Sequence, residues 1–204
     1  MQDTLNRLKN RGFTPSYFID VGAHTGETYE IIQRVYSGAK VYSFEANPHC
    51  EEKLKEKTST YEICLLGDSE KTGVQFFIDP SNNISTGCSI YKENSNYFKE
   101  ETGLYLNMHR LDNRITIDTS NVPEIFLKLD VQGAEIDVLN GATGILPYVK
   151  WIYLEVSFTP CNNGAPLFAD VFKHLSFLGY RIADIEESTY ISNVLIQTNF
   201  LFVR

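Results

Sequence analysis

Tyr17-Phe-Ile-Asp-Val-Gly-Ala-His-Thr-Gly-Glu27 is the stretch that decides the fold. A short apolar run ends in Asp20, turns through Gly22 and Gly26, and enters a segment with Ile31, Ile32 and Val35 on one helical face. A second apolar run, Val41-Tyr-Ser-Phe-Glu45, follows and also ends in a carboxylate. Strand, glycine turn, helix and strand make a βαβ unit, one half of a doubly wound sheet. Glu45 stands about twenty residues past the turn, where a Rossmann-type site places the group that holds ribose hydroxyls. The ligand expected here contains a free ribose.

The dinucleotide pattern G-x-G-x-x-G is not met, because His24 stands at its second glycine and Glu27 at its third. A pyrophosphate sits on the bare N–H groups of a helix N-terminus, and a carboxylate in that first turn repels it. NAD and FAD are therefore disfavoured, and S-adenosylmethionine fits better. Asp20 can sit near its ammonium group, the turn Gly22-Ala-His-Thr-Gly26 lets the methionine part approach the backbone, and Glu45 binds the ribose. The alternative is a strand-turn-helix corner with no ligand.

A chain of 204 residues, 43% hydrophobic and 13% aromatic, has the length and apolar content of one α/β domain with a full core. The expectation is a single domain over residues 1–204. A net charge of −8 without a basic cluster argues against a nucleic-acid partner, whose binding rests on Lys and Arg. Cys50, Cys64, Cys88 and Cys161 show neither C-x-x-C spacing nor paired histidines, so thiols in a reducing compartment are expected. The N-terminus has no apolar targeting core and no run approaches a membrane span, which predicts a soluble, cytoplasmic chain.

Elements alternate along the chain. A short helix is expected over Thr4 to Arg11, a charged helix over Glu51 to Lys57, and a third strand over Tyr61 to Leu66. Turn residues from Gly67 to Gly73 lead to a strand at Val74 to Ile78, and Leu104 to His109 alternates like another. Asp79 to Glu101 is polar and aperiodic, which suggests a functional lid or a disordered stretch. Ile125 to Asp130 and Trp151 to Val156 read as buried central strands, with helices from Ala134 and over Leu167 to Leu178. Tyr180 to Ile185 and Phe200 to Val203 complete the strands, the last expected to form a hairpin with Tyr190 to Gln197. Asp20, Glu45, Asp68, Asp130 and Glu155 all fall near carboxyl ends of apolar strands, where open α/β sheets bind ligands.

These residues resemble the FkbM-type S-adenosylmethionine-dependent methyltransferases over about Phe18 to Ile185. The blocks that carry the resemblance are Asp20 to Gly26, Phe44 to Pro48, Leu66 to Asp68, Thr86 to Tyr91, Arg110 to Asp112, Lys128-Leu-Asp-Val-Gln-Gly-Ala-Glu135 with its preceding Leu127, and Tyr153 to Ser157. The resemblance implies a class I methyltransferase fold, a Rossmann-like three-layer sandwich with a mostly parallel seven-stranded sheet and a final antiparallel strand. It implies O-methylation of a hydroxyl on a small molecule or surface glycan. Carried over, Asp20, Gly22, Ala23, His24, Thr25 and Gly26 hold the methionine part, Glu45 and Ala46 the ribose, and Gly67 and Asp68 the adenine edge, with Ser89 and Asp130 also at the cofactor. The family often has Asn in place of His24 and Glu in place of Gln132.

Methyl transfer from a sulfonium needs alignment above all, and a base that takes the hydroxyl proton helps. Asp130 is the leading candidate base, with capping of the helix near Gly133 as the alternative. His24 could serve instead, His109 has the weaker claim, and Glu155 could bind an acceptor hydroxyl or share Mg²⁺ with Asp130; no metal is assigned. Acceptor choice is expected in residues 79–101, with Ser89, Tyr91, Tyr97 and Phe98, and in residues 157–166, with Phe158, Cys161, Asn162 and Asn163. An NAD-dependent oxidoreductase and a non-catalytic nucleotide-binding module of a larger glycan-synthesis protein are the competing classes.

Overall fold

Strands β1 (Tyr17–Val21) and β7 (Ile125–Leu129) are buried at every residue, as befits strands covered on both faces. They lie at the centre of a seven-stranded sheet in a computed structural model that describes residues 1–94 and 102–204. The other described elements are α1 (Gln2–Asn10), α2 (Glu27–Val35), β2 (Val41–Glu45), α3 (Glu51–Lys57), β3 (Tyr61–Ile63), β4 (Leu65–Leu66), β5 (Lys71–Ile78) and β6 (Thr102–His109). After β7 come α4 (Glu135–Asn140), β8 (Val149–Ser157), α5 (Phe168–Phe177), β9 (Arg181–Ile191) and β10 (Val194–Val203).

The large sheet has the order β3-β2-β1-β7-β8-β10-β9. Strands β3 to β8 in that order pair in parallel, and β10 runs antiparallel to both β8 and β9. Alternation along the strands builds two cores. Ile19, Leu127, Leu154 and Phe202 face one way, with Val138 and Leu139 of α4 and Val171 and Leu175 of α5. Phe18, Phe126, Tyr153 and Leu201 face the other, with Leu5 and Leu8 of α1 and Ile32 and Val35 of α2. This is a mostly parallel α/β sandwich, with helices on both faces of the sheet.

One element departs from expectation. Tyr61 to Leu66 is not a single strand: β3 pairs with β2, the chain then breaks at Cys64, and β4 pairs with β6 in a separate three-stranded sheet ordered β4-β6-β5. The Cys64 N–H donates to the Glu45 carbonyl at the break, so the apolar run stays continuous while its partner changes. Strand β9 also extends past the predicted Ile185, because its whole length pairs with β10.

The two irregular segments meet. Ser89 exchanges backbone hydrogen bonds with Phe77, and Glu93 pairs with Asn162 in an isolated antiparallel bridge. The Asn94 N–H donates to the Cys161 carbonyl and the Asn163 N–H to the Lys92 carbonyl, so residues 92–94 and 161–163 form a clasp. Tyr97, Phe98 and the remainder of 95–101 lie outside the described residues. Among the described residues no helix is long and apolar enough to cross a membrane.

Candidate active site

The carboxyl ends of β1, β2, β7 and β8 open into a cavity of about 570 Å³, within the size range of small-molecule sites. Gly22, His24, Glu45, Ala46, Asp130 and Glu155 line it, together with Gln132 and residues of the clasp.

At the β1 end the chain must turn sharply, and Gly22 has φ +77°. A Cβ there would stand 1.9 Å from the Asp130 carbonyl oxygen, so only glycine permits this approach. Gly22 and Ala23 donate their N–H groups to the Phe44 carbonyl, which ties the turn to β2. Gly26, φ +90°, starts α2, and Thr25 hydrogen-bonds the Glu27 carboxylate in its first turn. Ala23, Thr25 and Gly26 shape the turn from behind and do not line the cavity.

Glu45 is held by the main chain. Its Oε2 accepts from the His24 N–H and its Oε1 from the Asn47 N–H, both at 2.7 Å. Burial raises its pKa, and those two hydrogen bonds oppose the rise. His24, itself at φ +49°, places Nε2 2.7 Å from the Ile84 carbonyl and Nδ1 3.4 Å from Glu27. Its ring is thus engaged with the loop that covers the turn.

Asp20 is fully buried, and burial pushes its carboxyl up to about 6 against the opposing charge of Lys128. Lys128 Nζ lies 3.1 Å from Asp20 Oδ1 and 3.6 Å from Asp130 Oδ2, while its well-directed hydrogen bond goes to the Gly22 carbonyl at 2.6 Å. Neither Asp20 oxygen accepts a directed hydrogen bond among the described residues. Lys128 therefore joins the glycine turn, Asp20 and Asp130 from within the sheet. Sequence reasoning gave it no role, although a lysine in a run of buried residues calls for a partner.

Across the cavity, Gln132 Nε2 donates to Asp130 Oδ1 at 2.8 Å and to Glu155 Oε2 at 3.1 Å. Burial and the nearby Asp130 charge raise the Glu155 pKa, and the bond from Gln132 and the Lys128 charge oppose them. Glu135 caps the loop beneath: it accepts from the Gly133 N–H at 3.1 Å and the Val131 N–H at 3.4 Å, and burial pushes its carboxyl to about 7. Helix α4 has no side-chain cap at its Ala134 N-terminus, so Asp130 does not cap it, and the Asp130 side chain is left to Lys128, Gln132 and the cavity.

Other expected residues stand elsewhere. Asp68 follows β4 and engages Ser69 and Lys71, and neither it nor Gly67 lines the cavity. Cys64, Leu65 and Leu66 take that place. Ser89 is buried behind the wall and donates to the Gln132 carbonyl at 2.9 Å. Tyr91 donates to Asp137, Phe158 stacks on Phe168, and His109 pairs with Glu70, all away from the lining. Cys161 and Asn162 do line it. All four cysteines border the cavity; burial lifts the Cys50 and Cys64 thiols to about 12 and Cys88 to about 11, which keeps those three neutral. Among the described residues no group of three or more His, Cys, Asp or Glu side chains is arranged to hold a metal.

Sheet order and cavity together make a Rossmann-like α/β fold that resembles the class I methyltransferases. The methyltransferase FkbM domain family matches residues 20–182, and the chain belongs to that S-adenosylmethionine-dependent family. Among solved structures, the methyltransferase FkbM from Methylobacillus flagellatus KT is 15% identical with a TM-score of 0.55, the match covering 93% of this chain and 44% of that one. The chain therefore spans less than half the length of that relative. An S-adenosylmethionine-dependent methyltransferase from Clostridium acetobutylicum ATCC 824 is 9% identical, TM-score 0.51, covering 99% of this chain and 89% of that one. Precorrin-6y C5,15-methyltransferase from Geobacter metallireducens GS-15 is 8% identical, TM-score 0.50, with 100% and 88% covered. At such identities the likeness concerns the fold. A comparison with the curated proteins finds no match.

The residues present fit S-adenosylmethionine. Glu45 lines the cavity with one N–H on each oxygen and keeps lone pairs for ribose hydroxyls, and Cys64, Leu65 and Leu66 give a neutral wall beside it; Asp20 is fully buried against Lys128, behind the lining.

Proposed function

We propose that the chain catalyses methyl transfer from S-adenosylmethionine to a hydroxyl oxygen, on a sugar of a glycan or glycoside. The observation that carries this is the pair Asp130 and Glu155 facing one cavity, joined by Gln132, with the cofactor carboxylate Glu45 across from them.

Glu45 accepts hydrogen bonds from the ribose hydroxyls, and Asp20, through the turn it underlies, favours the ammonium end electrostatically. Cys64, Leu65, Leu66 and Cys88 offer a neutral slot for the adenine, in place of the Asp68 contact expected from the resemblance. S-adenosylmethionine supplies the methyl group: the O–CH₃ bond forms as the S–CH₃ bond breaks, and the sulfur keeps the electron pair. Asp130 takes the proton from the acceptor hydroxyl, and Lys128 steadies its charge during the approach. Glu155 accepts a hydrogen bond from the acceptor. The clasp between residues 92–94 and 161–163 closes one side of the cavity and brings Asn162 to the acceptor, in keeping with a lid role for those two segments within one catalytic unit.

A pyrophosphate cofactor is opposed by the lining, in which no Lys or Arg appears among the described residues, and by Glu27 at the start of α2. Calorimetry provides the test. S-adenosylhomocysteine should bind with a one-to-one heat and NAD should give none; heat from NAD alone would overturn the assignment. A methyl-transfer screen over sugars then separates an enzyme from a non-catalytic module, the latter showing cofactor binding without turnover of any acceptor.

A further inference from the structure

A primary amide carries two N–H protons, and at Gln132 they go to carboxylates on two neighbouring strands. Protons on one planar NH₂ diverge, so the oxygens they reach are held on the order of 5 Å apart at ordinary hydrogen-bond lengths. Two adjacent hydroxyls, each donating to one of those carboxylates, span such a gap.

The loop is built to put this side chain there. Gln132 has φ +52° and Gly133 φ +104°, two successive residues in the left-handed region, where a non-glycine residue is uncommon. A Cβ on Gly133 would lie 2.6 Å from the Ala165 Cβ, so the loop packs tightly against the segment that follows β8. Ser89 holds the Gln132 carbonyl from the other side. Backbone strain of this kind persists where surrounding structure fixes it, and it collects at functional sites.

The residue type matters as much as the place. Where the family often has a carboxylate at this position, the amide of Gln132 adds no third negative charge and donates to both Asp130 and Glu155. An apolar side chain would leave Asp130 and Glu155 repelling each other with no common donor. The amide keeps both available as acceptors.

We propose, building on the O-methyl transfer above, that Gln132 is a positioning residue that sets Asp130 and Glu155 as a clamp for a vicinal diol. Asp130 receives the hydroxyl that becomes methylated, and Glu155 holds its neighbour. The substrate class is thereby a polyol with two adjacent free hydroxyls, and the mono-O-methylated product leaves the second one unchanged.

Titration of Glu155 by carboxyl ¹³C NMR tests the clamp without needing an acceptor. The charged groups that act on it are Lys128 of β7 and Asp130 just after it, and Glu93, Cys161, His24 and Glu45 share the cavity lining. In Gln132→Leu the Glu155 midpoint should rise by about one pH unit, because a hydrogen bond to the charged form is lost. Gln132→Glu should raise it as well, through like charge, and it carries the test if Gln132→Leu does not fold. Midpoints unchanged in both variants would overturn the proposal. With sugar acceptors found in the screen, the analogue lacking the neighbouring hydroxyl should lose tenfold or more in kcat/KM, and Gln132→Leu should raise KM more than it lowers kcat. Deoxy acceptors that turn over as well as the parents would overturn the diol clamp. Failure of S-adenosylhomocysteine to bind breaks the cofactor assignment instead, and the Glu155 titration of the free protein stays readable in that case.

Discussion

At the end of β2, Glu45 is fixed by main-chain donors, one N–H on each oxygen, whereas at the ends of β7 and β8 Asp130 and Glu155 are fixed by side chains, Lys128 and Gln132. Backbone groups are committed by the fold itself, and they hold an acid in one place whatever the neighbouring side chains are. Side-chain partners can be exchanged without rebuilding the sheet. Under the proposed reaction, the main-chain-held acid would meet the cofactor common to the family and the side-chain-held pair the acceptor.

The largest effect expected is on the side-chain-held half. Asp130→Asn preserves size and removes the basic oxygen, so turnover should fall about 10²–10⁴-fold with near-normal S-adenosylhomocysteine affinity. Full activity under conditions where chemistry limits the rate would transfer the base role to another group and break the comparison. Lys128→Met comes next, because it strips the charge partner from a fully buried acid. Removing one member of a buried ion pair costs about 3–5 kcal/mol in stability, to be read from urea denaturation. A loss under 1 kcal/mol would mean that Asp20 is neutral in the folded protein.

The pH dependence has a defined sign. Asp20 has a folded pKa raised from 3.8 to about 6, so its contribution to stability is fully present below 3.8 and is lost as pH rises through 6. Asp20→Asn should flatten the stability curve over that window, and an unaltered curve would show that some other group titrates there.

On the backbone-held half, Glu45→Ala should weaken S-adenosylhomocysteine binding by about 1.5–3 kcal/mol, roughly tenfold or more, as measured by calorimetry. Unchanged affinity in the folded variant would take the ribose away from Glu45. The smallest effect belongs to Asp68→Ala, where an exposed carboxylate outside the lining loses Ser69 and Lys71. Cofactor affinity should change by less than about 0.5 kcal/mol, and a tenfold loss would restore the adenine contact.

The backbone-held half was the more legible in the sequence. Glycines and terminal acids in Asp20 to Gly26 and at Glu45 report local conformation directly, since turn and strand ends lie within a few residues of one another. The break at Cys64 was hidden because periodicity records which residues are apolar and says nothing of which strand they pair with. Lys128 was hidden for a related reason. Its partner Asp20 stands opposite it in the β1 to β7 register, a pairing between residues far apart in the chain. Asp68 was legible only in part: its place after an apolar run matched a strand end, and the structure shows that this strand belongs to the smaller sheet. Gln132 was visible as a departure from the family, and its two hydrogen bonds became evident only once β7 and β8 were set side by side.

The bare Cα of Gly22 lies against the Asp130 carbonyl, and the Lys128 ammonium bonds the Gly22 carbonyl from below. The glycine turn after β1 and the loop after β7 are thereby one mechanical joint, with no layer of side chains between them to absorb a displacement. A methyl group at Gly22 would meet main chain, which cannot change rotamer to make room. Under the proposed reaction the methyl donor and the proton acceptor share this one contact, so a substitution that spreads it should misalign both at once.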